Sequence, residues 1–138
     1  PTTYLNGAPG PRNDATQMIA VSDNEAANRL TDQVSMVAVN DEMRSLGLGG
    51  TRFLNTFTDT RTPAHPGQNS TTPSNMARLL ELIATDQIVN SATSADIRGL
   101  LARNSDRSKL ARLLPGDAKI AHKSGWYDGV ANDVGIVN

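Results

Sequence analysis

The sequence predicts a mainly α-helical chain that ends in one small antiparallel β-hairpin, on three observations. Apolar residues recur at helical spacing through most of residues 14–114. Cap residues, Gly and Pro punctuate those stretches where helices would start and stop. Only after Pro115-Gly116 does the pattern change to two strand-like runs separated by a short Gly-containing turn.

Taken in order, PTTYLNGAPGPRN is rich in Gly, Pro and Asn and reads as loop. Asp14 is suited to cap a helix over 15–21, with Met18, Ile19 and Val21 as its apolar face. A second helix starts near Asn24 and carries Ala26, Ala27 and Leu30 on one stripe. Ser35 caps a third, in which Val39, Met43 and Leu46 share a face, and Gly47 stops it. Residues 51–55 suggest a short extended piece. Residues 56–71 show no period and contain Pro63, Pro66 and Gly67, so they read as an irregular loop, and loops of that length in compact domains are usually functional. Thr72-Pro73 restarts a helix with Pro in its first turn, and Met76, Leu79, Leu80 and Ile83 form its stripe. A further helix carries Ile97, Leu100 and Leu101, and a short one Leu110, Leu113 and Leu114. The strands are expected at 119–126 and 130–137, joined by Tyr127-Asp128-Gly129.

Composition narrows the function. The 138 residues fit one domain, and a formal net charge of -1 from 13 basic and 14 acidic side chains argues against a nucleic-acid partner, which needs a dense basic face. No apolar run approaches the roughly 18 residues of a membrane span. With no Cys, a disulfide framework and thiolate metal sites are excluded. The first residue is Pro1, not Met, and an isolated hairpin is marginal by itself. The expectation is therefore a chain cut at both ends, with an open strand edge able to pair with a second chain or with another copy.

Ser22-Asp23-Asn24 lies between two predicted helices. Ser, Asp and Asn are also the preferred helix caps, so the triplet by itself has a purely structural reading. Lys123-Ser124-Gly125 lies 101 positions downstream at the end of a predicted strand. Together, in this order, the two triplets fit the S-D-N and K-T-G pattern of serine acyl-transfer enzymes. With MIAVSDNEAANRL, LGLGGTRF, TTPSNMARLLELI and HKSGWYDGVANDVGIV, the chain resembles the class A β-lactamase-like group of the β-lactamase and penicillin-binding-protein superfamily, from about Met18 onward. The resemblance implies the helical part (1–118, with the loop 56–71) plus the K-S-G hairpin (119–138) of the α/β β-lactamase fold, as one incomplete domain. It also implies acyl transfer on a β-lactam, a D-Ala-D-Ala-type amide or an ester, without metal or cofactor, outside the cytoplasmic membrane.

Site roles follow from the same resemblance. Ser22 would bond Lys123 and shuttle a proton to the leaving group. Asn24 would donate to the substrate's acyl-amide carbonyl. Lys123, Ser124 and Gly125 would hold the substrate carboxylate, and the Trp126 N–H would supply half of an oxyanion hole. Asp23 would fix the turn. Two departures stand out. No serine is followed by Lys at the third place, so the S-x-x-K nucleophile is absent from the chain. Residues 51–72 hold no Glu for deacylation; Phe57 falls near that place and Asp59 two residues beyond, either as a replacement base or as a partner of Arg52 or Arg61. Weak β-lactam turnover is the consequence. Two alternatives stay open: a minimal esterase using Ser22 or Ser124 with Lys123, and a non-catalytic scaffold that pairs through its strand edge. His65 and His122 read as isolated surface and strand residues, although a Ser–His–Asp site through His122 is conceivable. Asp96, Arg98, Arg103, Arg107, Lys109 and Arg112 read as solvated charge.

Overall fold

The computed structural model describes residues 10–57 and 68–138. Within them lie helices α1 (Pro11–Ala20), α2 (Asn24–Val34), α3 (Met36–Ser45), α4 (Pro73–Ala84) and α5 (Ser91–Leu101), a 3-10 turn (Leu110–Leu113), and strands β1 (Ile120–Tyr127) and β2 (Val130–Val137). The fold is the mainly helical one with a small antiparallel hairpin that the sequence predicts. None of these helices is long and apolar enough to cross a membrane. Asp59, Arg61 and His65 lie outside the described residues.

The chain divides into two compact units, one comprising the residues up to Met18 and Asp23–Leu79, the other Ile19–Ser22 and Leu80–Asn138. In the first unit, local chemistry sets the boundaries of α2, α3 and α4. Asp23 caps α2, its Oδ1 accepting from Ala26 N at 2.9 Å, and Ser35 caps α3 by accepting from Ala38 N at 3.2 Å. Gly47, at φ +75°, ends the α3 region in the left-handed conformation that glycine adopts at little cost. Thr72 Oγ1 accepts from Asn75 N at 3.1 Å at the start of α4. The 51–55 stretch contributes one antiparallel bridge, Arg52 to Ser70, rather than a strand. Asn69 tightens that neck by accepting from the N–H groups of Leu54 and Asn55 at 2.7 and 2.9 Å.

α1 departs from expectation. It starts at Pro11 instead of after Asp14, because a proline in the first helical turn needs no N–H partner. Asp14 is therefore inside the helix, where it is buried and paired with Arg29 of α2 at 2.7 and 3.1 Å. The inward residues of α1 are Asp14, Thr16, Gln17 and Ala20, and Val21 is half exposed. The apolar face expected at Met18, Ile19 and Val21 gives way to a polar one because the face carrying Asp14 meets a guanidinium.

In the second unit, α5 packs against β1 and the 3-10 turn against β2. The 3-10 geometry replaces the short α-helix expected at Leu110–Leu114; Leu114 itself is extended. β1 and β2 pair from Ile120↔Val137 to Tyr127↔Val130, so the turn is the two residues Asp128-Gly129. Ile120, His122 and Ser124 alternate along β1 and are buried, which gives the sheet its inward face. Arg98 and Lys109, expected as solvated charge, are tied down instead. Arg98 bonds Asp86 and the Ile83 carbonyl at 2.6 Å each, and Lys109 bonds Asp106 at 2.7 Å.

Candidate active site

Ser22 follows α1 on a segment pinned from the loop after α5. The Ile19 carbonyl accepts from Asn104 Nδ2 at 3.1 Å, and the Ala20 carbonyl accepts from Ser105 N at 3.0 Å and Oγ at 2.8 Å. These bonds satisfy carbonyls that a helix end leaves without intrahelical partners. The chain then turns through Ser22 in a left-handed conformation, φ +56°, which costs a non-glycine residue about 1–3 kcal/mol. Asp23 does the capping of α2, so Ser22 is exposed with its hydroxyl outside the cap. The two readings of the Ser-Asp-Asn triplet thus belong to different residues within it.

The Lys123 ammonium donates to Ser22 Oγ and to its neighbour's Ser124 carbonyl. Lys123 is half-buried. Burial pulls its pKa below the usual lysine value, the carboxylates of Asp133 and Asp106 push it back up, and Lys109 pulls it down. Asp106 is held well below the usual carboxylate range by Lys109, then by the Ser108 hydroxyl and N–H, then by the Ser124 hydroxyl. Ser124 is buried and directs its proton at Asp106, so it would have to turn to serve a substrate carboxylate.

Strand register decides where the Trp126 N–H points. Lys119 and Asn138 exchange both backbone bonds, at 3.0 and 3.2 Å. Alternation along an antiparallel ladder then makes Ser124↔Asp133 and Trp126↔Ala131 pairs without mutual hydrogen bonds. The Trp126 N–H is thereby directed at the edge of β1 away from β2. Its indole is 82 % exposed, and Gly125 beside it is exposed as well. Asn24 is the exposed first residue of α2 and belongs to the first unit. The structure thus brings together Ser22, Lys123, Ser124, Gly125 and Trp126 in the second unit.

His122 lies on β1 as expected, but it is not isolated: it is 1 % exposed, and Nδ1 donates to Asp133 at 2.9 Å. His and Asp converge as a Ser–His–Asp site would require, but Nε2 is buried and meets no hydroxyl among the described residues.

A profile described as the beta-lactamase enzyme family matches residues 12–138. The chain belongs to that family. It is similar to PBP-A, with 28 % identity and a TM-score of 0.85 over 96 % of this chain and 49 % of that one. A PBP-A mutant in an acyl-enzyme complex with penicillin G gives 27 %, 0.85, and coverage of 99 % and 52 %. The beta-lactamase from Sphaerobacter thermophilus gives 26 %, 0.80, and coverage of 89 % and 47 %. The chain spans about half the length of these solved structures. No curated protein matches it by sequence.

Within this beta-lactamase family member, sequence reasoning missed Asp106, Lys109 and Asp133 as neighbours of Lys123. One signal was available for Asp133. A two-residue Asp-Gly turn sets Ser124 opposite Asp133, and strand alternation puts His122 on the same face. Asp106-Arg107-Ser108 also carries the spacing of an Asx turn, whose bond is Ser108 N to Asp106 Oδ1 at 2.9 Å.

Proposed function

We propose that this chain carries the proton-relay and anion-holding part of a serine hydrolase that works by acyl transfer on β-lactam, D-Ala-D-Ala-type amide or ester substrates. The observation that carries the reading is the hydrogen bond from the Lys123 ammonium to Ser22 Oγ, between residues 101 apart in sequence. With a lone pair of Ser22 engaged by an ammonium, the hydroxyl proton of Ser22 is left to donate. That is what a leaving nitrogen or oxygen needs when the tetrahedral intermediate collapses. Lys123 attracts the substrate carboxylate as a compact charge. The Trp126 N–H supplies one oxyanion donor on the open edge of β1.

The acyl nucleophile is assigned to no residue of this chain, since none has S-x-x-K spacing. The S-x-x-K helix and further strands come, in this reading, from the rest of the fold or from a second chain paired at the strand edge. The deacylating Glu has no counterpart in residues 51–72, so β-lactam turnover is slow. Site of action outside the cytoplasmic membrane follows from the family.

The test is a chimaera in which this chain replaces the half of PBP-A that it matches. Incubated with penicillin G, a folded chimaera is expected to gain one penicilloyl group at the S-x-x-K serine supplied by PBP-A. Lys123→Ala should slow that acylation by about 100-fold or more, the scale of losing one acid–base group. A folded chimaera acylated at the same rate with and without Lys123 overturns the reading. The minimal-esterase alternative draws on one observation, the burial that lowers the pKa of Lys123 towards that of a base for Ser22. It requires p-nitrophenyl acetate hydrolysis that rises with the deprotonation of Lys123 and disappears in Ser22→Ala.

A further inference from the structure

The segment from Ser105 to Leu110 is stapled beside the Lys123-Ser124-Gly125 triplet at both of its ends. At its start, Ser105 donates through N and Oγ to the Ala20 carbonyl, just before the Ser22 that Lys123 contacts. At its finish, the Leu110 N–H donates to Asp133, the residue opposite Ser124 on the hairpin. Between these anchors the chain turns through Asp106, whose Oδ1 accepts from Ser108 N at 2.9 Å and Ser108 Oγ at 2.6 Å. Oδ2 accepts from Lys109 Nζ at 2.7 Å, and the Ser124 hydroxyl donates to the same carboxylate.

An ammonium, two hydroxyls and a backbone N–H converge on Asp106, which is the donor set of an anion-binding site. The anion that occupies it is the chain's own. Ser124 is buried, and a hydroxyl has one proton to give, so the proton given to Asp106 is withheld from a substrate. The Lys123 ammonium donates to the Ser124 carbonyl, which strand alternation turns to the edge of β1 away from β2. A substrate carboxylate drawn to that ammonium and to the Ser124 hydroxyl therefore meets a fixed negative charge, and two carboxylates sharing a site repel.

We propose that Asp106 is a specificity-determining residue: it fills the place of a substrate carboxylate with its own, so the site favours acyl substrates without a carboxylate near the scissile bond. This builds on the anion-holding role proposed above for Lys123 and Ser124. Among the substrates named there, Asp106 disfavours the β-lactams and D-Ala-D-Ala-type amides and favours uncharged esters.

Binding to the 138-residue chain tests this without turnover. N-acetyl-D-alanine and its uncharged primary amide are titrated separately, and the backbone amide NMR signals of residues 123–126 are followed. The wild-type chain should bind the acid no more tightly than the amide. Asp106→Asn removes the charge and keeps the turn, because its amide oxygen still accepts from the Ser108 N–H. It should bind the acid at least about tenfold more tightly, the scale of one like charge taken from a partly exposed site, and leave amide binding unchanged. Ser124→Ala in the Asp106→Asn chain should take that gain back, since the freed hydroxyl receives the acid. A wild-type chain that prefers the acid overturns the proposal, as does an acid affinity in Asp106→Asn within about twofold of wild type. An equal gain for both probes overturns it too, because loosening of the turn alone would produce that. Should Asp106→Asn not fold, Asp106→Ser gives the same contrast, since serine forms the equivalent turn. Adding Lys123→Ala to the Asp106→Asn chain separates the two readings. Acid binding that survives it removes the anion-holding role of Lys123, whereas acid binding that needs Lys123 and is indifferent to Asp106 overturns the specificity role alone.

Discussion

Gly135→Ala is a small change with a large expected effect. The added Cβ would lie 2.6 Å from His122 Cβ, 3.0 Å from the Ala121 carbonyl oxygen and 3.2 Å from His122 Cα. Carbon atoms in contact prefer about 3.5–4.0 Å, so the strands must part locally by about 1 Å. A Cβ and a backbone cannot swing aside as the end of a long side chain can. Parting by that much carries the flanking ladder bonds of Ala121↔Ile136 and Lys123↔Val134 beyond the usual 2.7–3.2 Å range. Losing one of the two bonds in each pair at about 1 kcal/mol apiece, with overpacking of about 1–3 kcal/mol, gives a destabilisation of about 3–5 kcal/mol. Guanidinium unfolding followed by far-UV circular dichroism measures it; Trp126 fluorescence is a poor probe because the indole is already exposed. Because Gly135 does not have a left-handed backbone, the cost is steric, and the partner can be tested. His122→Gly in the Gly135→Ala background should recover about 2 kcal/mol as a coupling energy, whereas His122→Ala, which keeps the Cβ, should not. Gly135→Ala within 0.5 kcal/mol of wild type, or equal coupling for Gly and Ala at His122, would refute the close-approach argument.

Two further outcomes are expected. Asp14→Ala removes a carboxylate whose side chain is 4 % exposed from an Arg29 that is 33 % exposed; because Arg29 can reach water, the loss is about 2 kcal/mol, below the range for fully buried pairs. A loss under 0.5 kcal/mol in chemical denaturation contradicts that pairing. Lys123→Met concerns pH. The folded pKa of Lys123 lies below that of the unfolded chain, so between the two the unfolded state binds more protons and stability rises with pH. The cost of the buried ammonium is therefore present in full at neutral pH and is relieved as pH rises through the folded value towards about 10.4. Lys123→Met should match or exceed wild-type stability at pH 7, with the difference narrowing in alkali; a variant less stable by more than about 1 kcal/mol at pH 7 is the contrary result.

Boundaries set by local chemistry were legible in the sequence. Ser35 and Gly47 bracket α3, Thr72-Pro73 opens α4, and Asp128-Gly129 turns the hairpin, because each acts on backbone groups within a few residues. Faces decided by distant partners were not. The inward face of α1 is polar because of Arg29, 15 residues away from Asp14. Its last carbonyls are satisfied by Asn104 and Ser105, 85 residues on. The candidate site shows the same division. The period of the helices says nothing about Ser22 and Lys123; the paired triplets pointed to them, while Asp106 and Asp133 depend on which side chains fold back onto β1. His122 looked isolated because its partner sits on the other strand, eleven residues later, and becomes visible only once the register is known.

The central claim is that Lys123 holds Ser22 as a proton donor and that this chain contains no acyl nucleophile of its own. Intact mass of the 138-residue chain after incubation with penicillin G and with p-nitrophenyl acetate, followed by peptide mapping, tests it most directly. The account expects no stoichiometric adduct on Ser22 or Ser124 near neutral pH, with the mass unchanged by either reagent. A single acyl group mapped to Ser22 and abolished by Lys123→Ala would contradict it and make Ser22 the nucleophile.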